Sequence, residues 1–228
     1  RLVVVDGIEA IVSAKSMAGP WAFDGSVMFD DELFGVRGST GEPDAKGNLA
    51  LRLSINPRNR SLLLESEGLV RLADGPPDYR GTFTLRPALL TDPGALALRD
   101  GEGLPTGAPA VAMPFNVKGK FEAKLDGLLF PSYRFETGPR DNPYFAEGSG
   151  KIAWGKEPRF DFEASGAQIS LDKGAESAEP AGVEGGIAAR FSGVKAFLSN
   201  LPVPQMPGEI KVALPAVIAG DTTIRDIS

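Results

Sequence analysis

Residues 115–127 read FNVKGKFEAKLDG, and the sides on which these side chains fall decide the fold. Phe115, Val117, Gly119, Phe121, Ala123 and Leu125 hold the odd positions, and Asn116, Lys118, Lys120, Glu122, Lys124 and Asp126 hold the even ones. Side chains alternate faces along a strand, so the stretch reads as a strand with one apolar and one charged side. The apolar side needs a cover: a second sheet, a helix or a ligand.

The same alternation recurs outward from this stretch. WAFDGSVMF (21–29) puts Trp21, Phe23, Gly25, Val27 and Phe29 on one side, and LALRLSI (49–55) does the same with Leu49, Leu51, Leu53 and Ile55. YRGTFTLR (79–86) sets Tyr79, Gly81, Phe83 and Leu85 against Arg80, Thr82, Thr84 and Arg86. In LLFPSYRFE (128–136), Leu129, Tyr133 and Phe135 share a parity. GSGKIAW (148–154) places Ile152 and Trp154 together, RFDFEA (159–164) places Phe160 and Phe162 together, and EIKVAL (209–214) sets Ile210, Val212 and Leu214 against Lys211. Half-buried antiparallel strands joined by Gly, Pro, Asn and Asp turns are expected. Asn56-Pro57-Arg58-Asn59 predicts a hairpin, because Pro presets its backbone angle and Asn tolerates the left-handed region. Asp30-Asp31-Glu32 reads as a solvated hairpin tip between two apolar runs.

Two stretches lack strand character. Residues 87–112, with four prolines and four glycines, read as a connector with a helical turn or two, and residues 172–186 read as a loop. Ile187, Phe191, Val194 and Leu198 then recur at helical spacing, which predicts a short amphipathic helix near 187–199. PWAFDGS (20–26) and PYFAEGS (143–149) are alike, and Asp6-Gly7 and Asp126-Gly127 precede them at nearly the same offset. The pattern suggests a multi-strand unit repeated after roughly 120 residues.

Composition narrows the chemistry. The 228 residues are 42% hydrophobic and 24% charged, as in folded chains, while 28 Gly and 19 Pro disfavour long helices. A net charge of -6 argues against a nucleic-acid partner, which needs a basic stripe. The absence of His and Cys removes Ser/His/Asp and Cys/His catalysis, imidazole and thiolate metal sites, and disulfides. No uninterrupted apolar run approaches the roughly 20 residues of a membrane-spanning helix. GSGK (148–151) fails as a phosphate loop, since Phe145 stands where the first Gly is needed and Ile152 where Ser or Thr is needed. It reads instead as a strand whose glycines admit another backbone. Asp161 and Glu163 share a strand face, as a glycosidase pair would, but Arg159 continues that face and marks it as exposed. Asn59-Arg60-Ser61 matches a glycosylation sequon. No catalytic residue, metal site or cofactor is expected.

What remains is the apolar face. It is either the interior of a β-sandwich, as in an adhesion or scaffold module with a closed core, or one long curved sheet with an open side. An open side would suit acyl chains, since each buried CH₂ contributes about 0.8 kcal/mol without directional contacts.

The later part of the chain resembles the AsmA family of bacterial envelope proteins. The resemblance rests on YRFETGPRDNPYFAEGSGKIAWGKEPRFDFEASGAQISLD (133–172), where a turn leads to the G-x-G of Gly148 and Gly150 and an alternating strand runs toward Leu171 and Asp172. Residues from Phe191 onward are also similar, and residues 19–87 more loosely so. The resemblance implies a mainly β fold, a curved antiparallel sheet forming an open hydrophobic groove like those of bridge-like lipid transfer proteins. It also implies a periplasmic location, an inner-membrane anchor outside this stretch, and a role in phospholipid transport and outer-membrane integrity. Phospholipid acyl chains would be the partners. Lining is expected from Trp21, Phe23, Val27, Phe29, Leu51, Leu53 and Phe83 in a first unit (1–112). Phe115, Val117, Phe121, Leu125, Tyr133, Phe135, Ile152, Trp154, Phe160 and Phe162 would continue it in a second (113–207), and residues 208–228 would open a further unit.

Overall fold

The computed structural model describes residues 5–17, 19–29, 32–58, 62–72, 75–88, 115–137, 144–154, 157–166, 169–170, 206–219 and 222–227. The helix expected near 187–199, the 172–186 loop, nearly all of the 87–112 connector, Asp30-Asp31 and the Asn59 sequon lie outside them. The described residues form strands and no helix. The strands are β1 (Val5–Ala14), β2 (Trp21–Phe29), β3 (Glu32–Thr40), β4 (Leu49–Pro57), β5 (Leu62–Arg71) and β6 (Asp78–Pro87). They continue as β7 (Phe115–Lys124), β8 (Gly127–Thr137), β9 (Tyr144–Ala153), β10 (Arg159–Gly166), β11 (Ile169–Ser170), β12 (Gly208–Ala219) and β13 (Thr222–Ile227).

β1 to β10 follow one another in space as an antiparallel meander, and β12 joins β10 in parallel, giving an open, curved sheet. β11 pairs with β12 at the same offset as β10 does, so β10 and β11 lie along one line. Val217 pairs with Ile169 of β11 and with Ile224 of β13, so β13 lies on the opposite edge of β12. The ladder passes from β6 to β7 and from β10 to β12 without a break, joining residues on both sides of 112–113 and 207–208. β4 and β5, which flank the segment expected to reverse at 56–59, pair antiparallel, and so do β2 and β3, which flank the acidic stretch.

Substantial contacts between elements all run between strands that are hydrogen-bonded neighbours. Among the described residues there is no second layer. The most enclosed apolar side chains are Phe121 at 5% exposure, Leu63 at 6% and Phe115 at 8%, and none is completely buried. A sandwich would bury whole rows of side chains between two sheets about 10 Å apart. The described strands make one sheet.

The register explains how such a sheet bends. Gly68 of β5 faces Gly81 of β6, and a Cβ on either would stand 2.0 Å from a carbonyl oxygen of the other strand. At Gly25 and Gly148 the distances are 2.1 Å to Glu9 O and 1.8 Å to Glu163 O. In each case the neighbouring backbone leans toward the apolar side, occupying space a side chain would need. Gly148 therefore behaves as the failed phosphate-loop reading expected.

Two irregularities change the sides. In β8 the register shifts between Phe130 and Tyr133, with exposed Pro131 and Ser132 as the extra length. A proline, which has no N–H to give the ladder, is tolerated at such a bulge. Leu128 and Phe130 therefore join Tyr133 and Phe135, whereas Leu129 turns to the charged side, 44% exposed. This overturns the expected shared parity of Leu129 with Tyr133. β1 bulges between Asp6 and Glu9, where Gly7 adopts φ 59°, a left-handed conformation that favours glycine.

Gly148→Ala is expected to lower stability by about 1–3 kcal/mol, the usual range for overpacking. Gly41→Ala, whose Cβ would meet only the Ala50 Cβ at 3.4 Å, should change it by less than about 0.5 kcal/mol. Urea unfolding of both variants checks the difference.

Candidate functional site

Following the register from β1 to β12 places the apolar rows of every strand on one face. Phe23, Gly38, Leu53, Ser66, Phe83, Gly119 and Tyr133 form one such row across seven strands. From β1 to β12, among the described residues, the only Asp, Glu, Lys or Arg on this face is Glu32, at the first position of β3. Lys118, Lys120 and Lys124 are exposed on the other face, as expected.

The face is tiled by its own rings. Phe23 lies against Gly38, Phe162 against Gly150 and Phe160 against Gly208, where a Cβ would come within 2.2–2.4 Å of ring atoms. Each ring lies over the glycine directly opposite, covering backbone that would otherwise face water, and reaches toward the next strand. Phe83 thus meets Phe130 across Gly119 with centroids 5.2 Å apart, and Phe130 meets Phe162 across Gly150 at 5.7 Å. Tyr79 and Phe121 stack edge to face at 4.7 Å, within the range where such pairs contribute about 0.5–1.5 kcal/mol beyond area burial.

The polar atoms of this face are turned into the sheet. Tyr79 Oη lies 3.0 Å from Ser66 Oγ and donates to Leu51 O at 3.2 Å, while Tyr133 Oη donates to Glu163 O at 2.9 Å. Burial pushes both hydroxyls above the ordinary tyrosine range. Thr40 Oγ1 accepts from the Trp21 backbone N–H at 3.0 Å. The surface chemistry is that of hydrocarbon.

The expected lining residues fall largely on this face: Trp21, Phe23 and Val27 on β2, Leu51 and Leu53 on β4, Phe83 on β6. Phe115, Val117 and Phe121 on β7, Tyr133 and Phe135 on β8, Ile152 on β9, and Phe160 and Phe162 on β10 share it. Phe29 holds the register position opposite Glu32 and Val5. Two expectations need correction. β7 ends at Lys124, so Leu125 sits in the turn, 70% exposed, and Trp154 lies one residue beyond β9. The two meet off the strands, where the indole N–H donates to Leu125 O at 2.7 Å. Alternation carried past a strand end assigns a side that the strand pleat no longer enforces. Phe130, at the centre of the ring cluster, is absent from the expected set because parity was counted through the bulge. Pro131 was the available signal. Phe34 and Val36 on β3 and Leu64 on β5 also lie on this face, although β3 and β5 are expected from sequence only as the second arms of hairpins.

The other face is a lattice of ion pairs between neighbouring strands: Asp24 with Arg37, Arg52 with Glu67, Glu65 with Arg86, Arg80 with Glu122 and Glu147 with Arg134. Exposed pairs of this kind contribute about 0–1 kcal/mol each. A shallow hollow of about 660 Å³ lies over these rows from β1 to β6. Ile11 and Ser13 line it and Val12 between them does not, which puts it on the charged side. Asp161, held by Arg159 and Lys151, and Glu163, accepting from Ser149 Oγ at 2.8 Å, are engaged as structural partners. Among the described residues no three acidic side chains cluster as metal ligands would, and no helix is long and apolar enough to cross a membrane.

No protein-family model matches the chain, and no curated protein or solved structure matches it.

Asp78, 9% exposed, is held by Arg71, which hydrogen-bonds it, and by Arg80 at 3.2 Å; the Arg71 guanidinium keeps its carboxyl below the ordinary range. A lowered folded-state value gives stability that is present above the ordinary carboxylate range and lost as pH falls through the lowered value. The melting-temperature advantage of wild type over Asp78→Asn is therefore expected to hold from neutrality to about pH 5 and to shrink below it. Thermal melts across that range check the sign.

Proposed function

We propose that this chain is a lipid-binding segment of a periplasmic, inner-membrane-anchored protein that supports phospholipid transport between the inner and outer membranes. The AsmA-like sequence motivates the setting. The observation that carries the reading is the apolar face, which runs across the ladder from β1 to β12 with one acidic or basic side chain among the described residues, at a strand end, and no described element packed upon it. Eleven strands spaced about 4.8 Å apart extend roughly 48 Å, more than the roughly 30 Å hydrocarbon core of a bilayer. A surface of that length accepts several acyl chains side by side or end to end. An acyl chain of about 16 carbons, with half its surface against the face, gains about 6 kcal/mol. Binding of that strength is reversible, as transfer requires. The reading involves no bond made or broken. The engaged tyrosine hydroxyls favour it further, because the face offers an alkyl chain no competing polar site.

Native mass spectrometry of the purified chain should find bound phospholipid, and a reproducibly clean apo mass would sink the reading in favour of a closed scaffold module. Two exposed positions on opposite faces sharpen the test. Ile210, 60% exposed on the apolar face, and Leu69, 53% exposed on the charged one, are both open to substitution without disturbing a packed interior. Ile210→Glu is expected to reduce bound lipid several-fold and Leu69→Glu to leave it unchanged, with melting temperatures near wild type for both. Equal losses would show that the lipid is not held by the apolar face.

A further inference from the structure

Among the described residues β1 is the edge of the ladder. Among the described residues it pairs only with β2, so the backbone groups of its other side lie outside the ladder. Natural edges are commonly blocked by charge, proline, a bulge or shortness. β1 carries a bulge between Asp6 and Glu9, which leaves the regular run Glu9–Ala14 beyond it. That run contains no proline and one charge, Glu9. Around it Ile8 is 69% exposed, Ile11 79% and Val12 64%, so apolar side chains stand open on both faces of the strand.

We infer that the β1 edge binds the β1 edge of a second copy of this chain, antiparallel and centred on Ile11. In that register Ile11 faces its own counterpart, Ala10 faces Val12, and Glu9 faces Ser13. No like charges oppose one another, and Ile11 and Val12, the large apolar residues of the run, gain apolar neighbours. The two-fold axis stands perpendicular to the sheet, so Ala10 and Val12 of both copies remain on the apolar side. The apolar face then continues across the junction, and the charged face does likewise. Among the described residues a head-to-tail junction would instead have to use β13, six residues long, or the far side of β12 at 208–213, which carries Glu209 and Lys211. The self-pairing of β1 sets apolar side chains against apolar side chains at its centre. It does not depend on the lipid reading, since it rests on the edge alone.

The chain has no cysteine, so single thiols test the register directly. In sedimentation equilibrium the full chain is expected to dimerise with concentration, and Ile11→Lys to weaken that dimer roughly tenfold or more by opposing two like charges. An equimolar mixture of Ile11→Lys and Ile11→Glu should restore it. Under mild oxidation Ile11→Cys should crosslink to a symmetric dimer faster than Ser13→Cys, and much faster than Ala50→Cys on exposed β4. A chain that stays monomeric throughout overturns the proposal. So does a dimer indifferent to Ile11→Lys, or one in which the thiol at position 11 crosslinks no faster than the thiol at position 50. Unchanged circular dichroism of the Ile11 variants, expected at a residue this exposed, separates loss of pairing from loss of fold.

Discussion

A single layer of strands has to cover its own apolar face, and the contact that does so is an aromatic ring lying over the glycine opposite it. Phe23 over Gly38, Phe83 over Gly119, Phe162 over Gly150 and Phe160 over Gly208 repeat this contact across the sheet. A glycine alone would weaken its strand and expose backbone. A ring alone would have only a flanking side chain to rest on. Together they pack closely, and the ring gains enough reach to touch the ring two strands away. The cluster Phe83–Phe130–Phe162 follows from this geometry. So does the bending, because Gly68, Gly81, Gly25 and Gly148 admit a neighbouring backbone where any other residue would collide.

The opposite face solves a different problem, that of fixing register where no described second layer enforces it. One-residue slips would exchange the faces of every strand. The ion pairs lie between in-register or diagonal neighbours, so such a slip would separate Asp24 from Arg37 and Arg52 from Glu67 while pushing rings into water. The two similar heptads illustrate the division of labour. In PWAFDGS, Asp24 pairs with Arg37 on one face while Gly25 admits the Glu9 carbonyl on the other. In PYFAEGS, Glu147 pairs with Arg134 and Gly148 admits the Glu163 carbonyl. The similarity in sequence is a similarity in physical role, though the partner strands lie in opposite directions along the chain.

Strands with a strict alternation of large apolar and charged residues were legible from sequence, and β2, β4, β6, β7, β9 and β10 have it. β3 and β5 were legible only as second arms of hairpins, and their faces were obscured by the very features that suit them to the sheet. On β3 the apolar side carries Gly38 and Thr40 where a large residue would have signalled a strand. On β5 it carries Ser66 and Gly68, while Leu63 and Leu69 occupy the charged side, so the apolar run of LLLESEGLVR masks its period. Small residues there receive rings from elsewhere, and nothing local announces the donor. The bulge at Pro131-Ser132 hid Phe130 in the same way, through one residue of extra length that parity counting does not see.

The sequence by itself determined which chemistry belongs on each side of a strand, since side-chain direction follows from a local period of two. It also determined where the chain reverses between strands such as β4 and β5, because turn residues act over a few bonds. Only the tertiary structure decided that eleven of these strands share one continuous ladder with no described layer over the apolar side. Whether a face is covered depends on segments far apart in the chain, and alternation is identical in a strand facing a second sheet and in one facing nothing. The bulges and the strand ends at Leu125 and Trp154 belong to the same category. They are set by how neighbouring strands fit together, and that fit exists only once the sheet has formed.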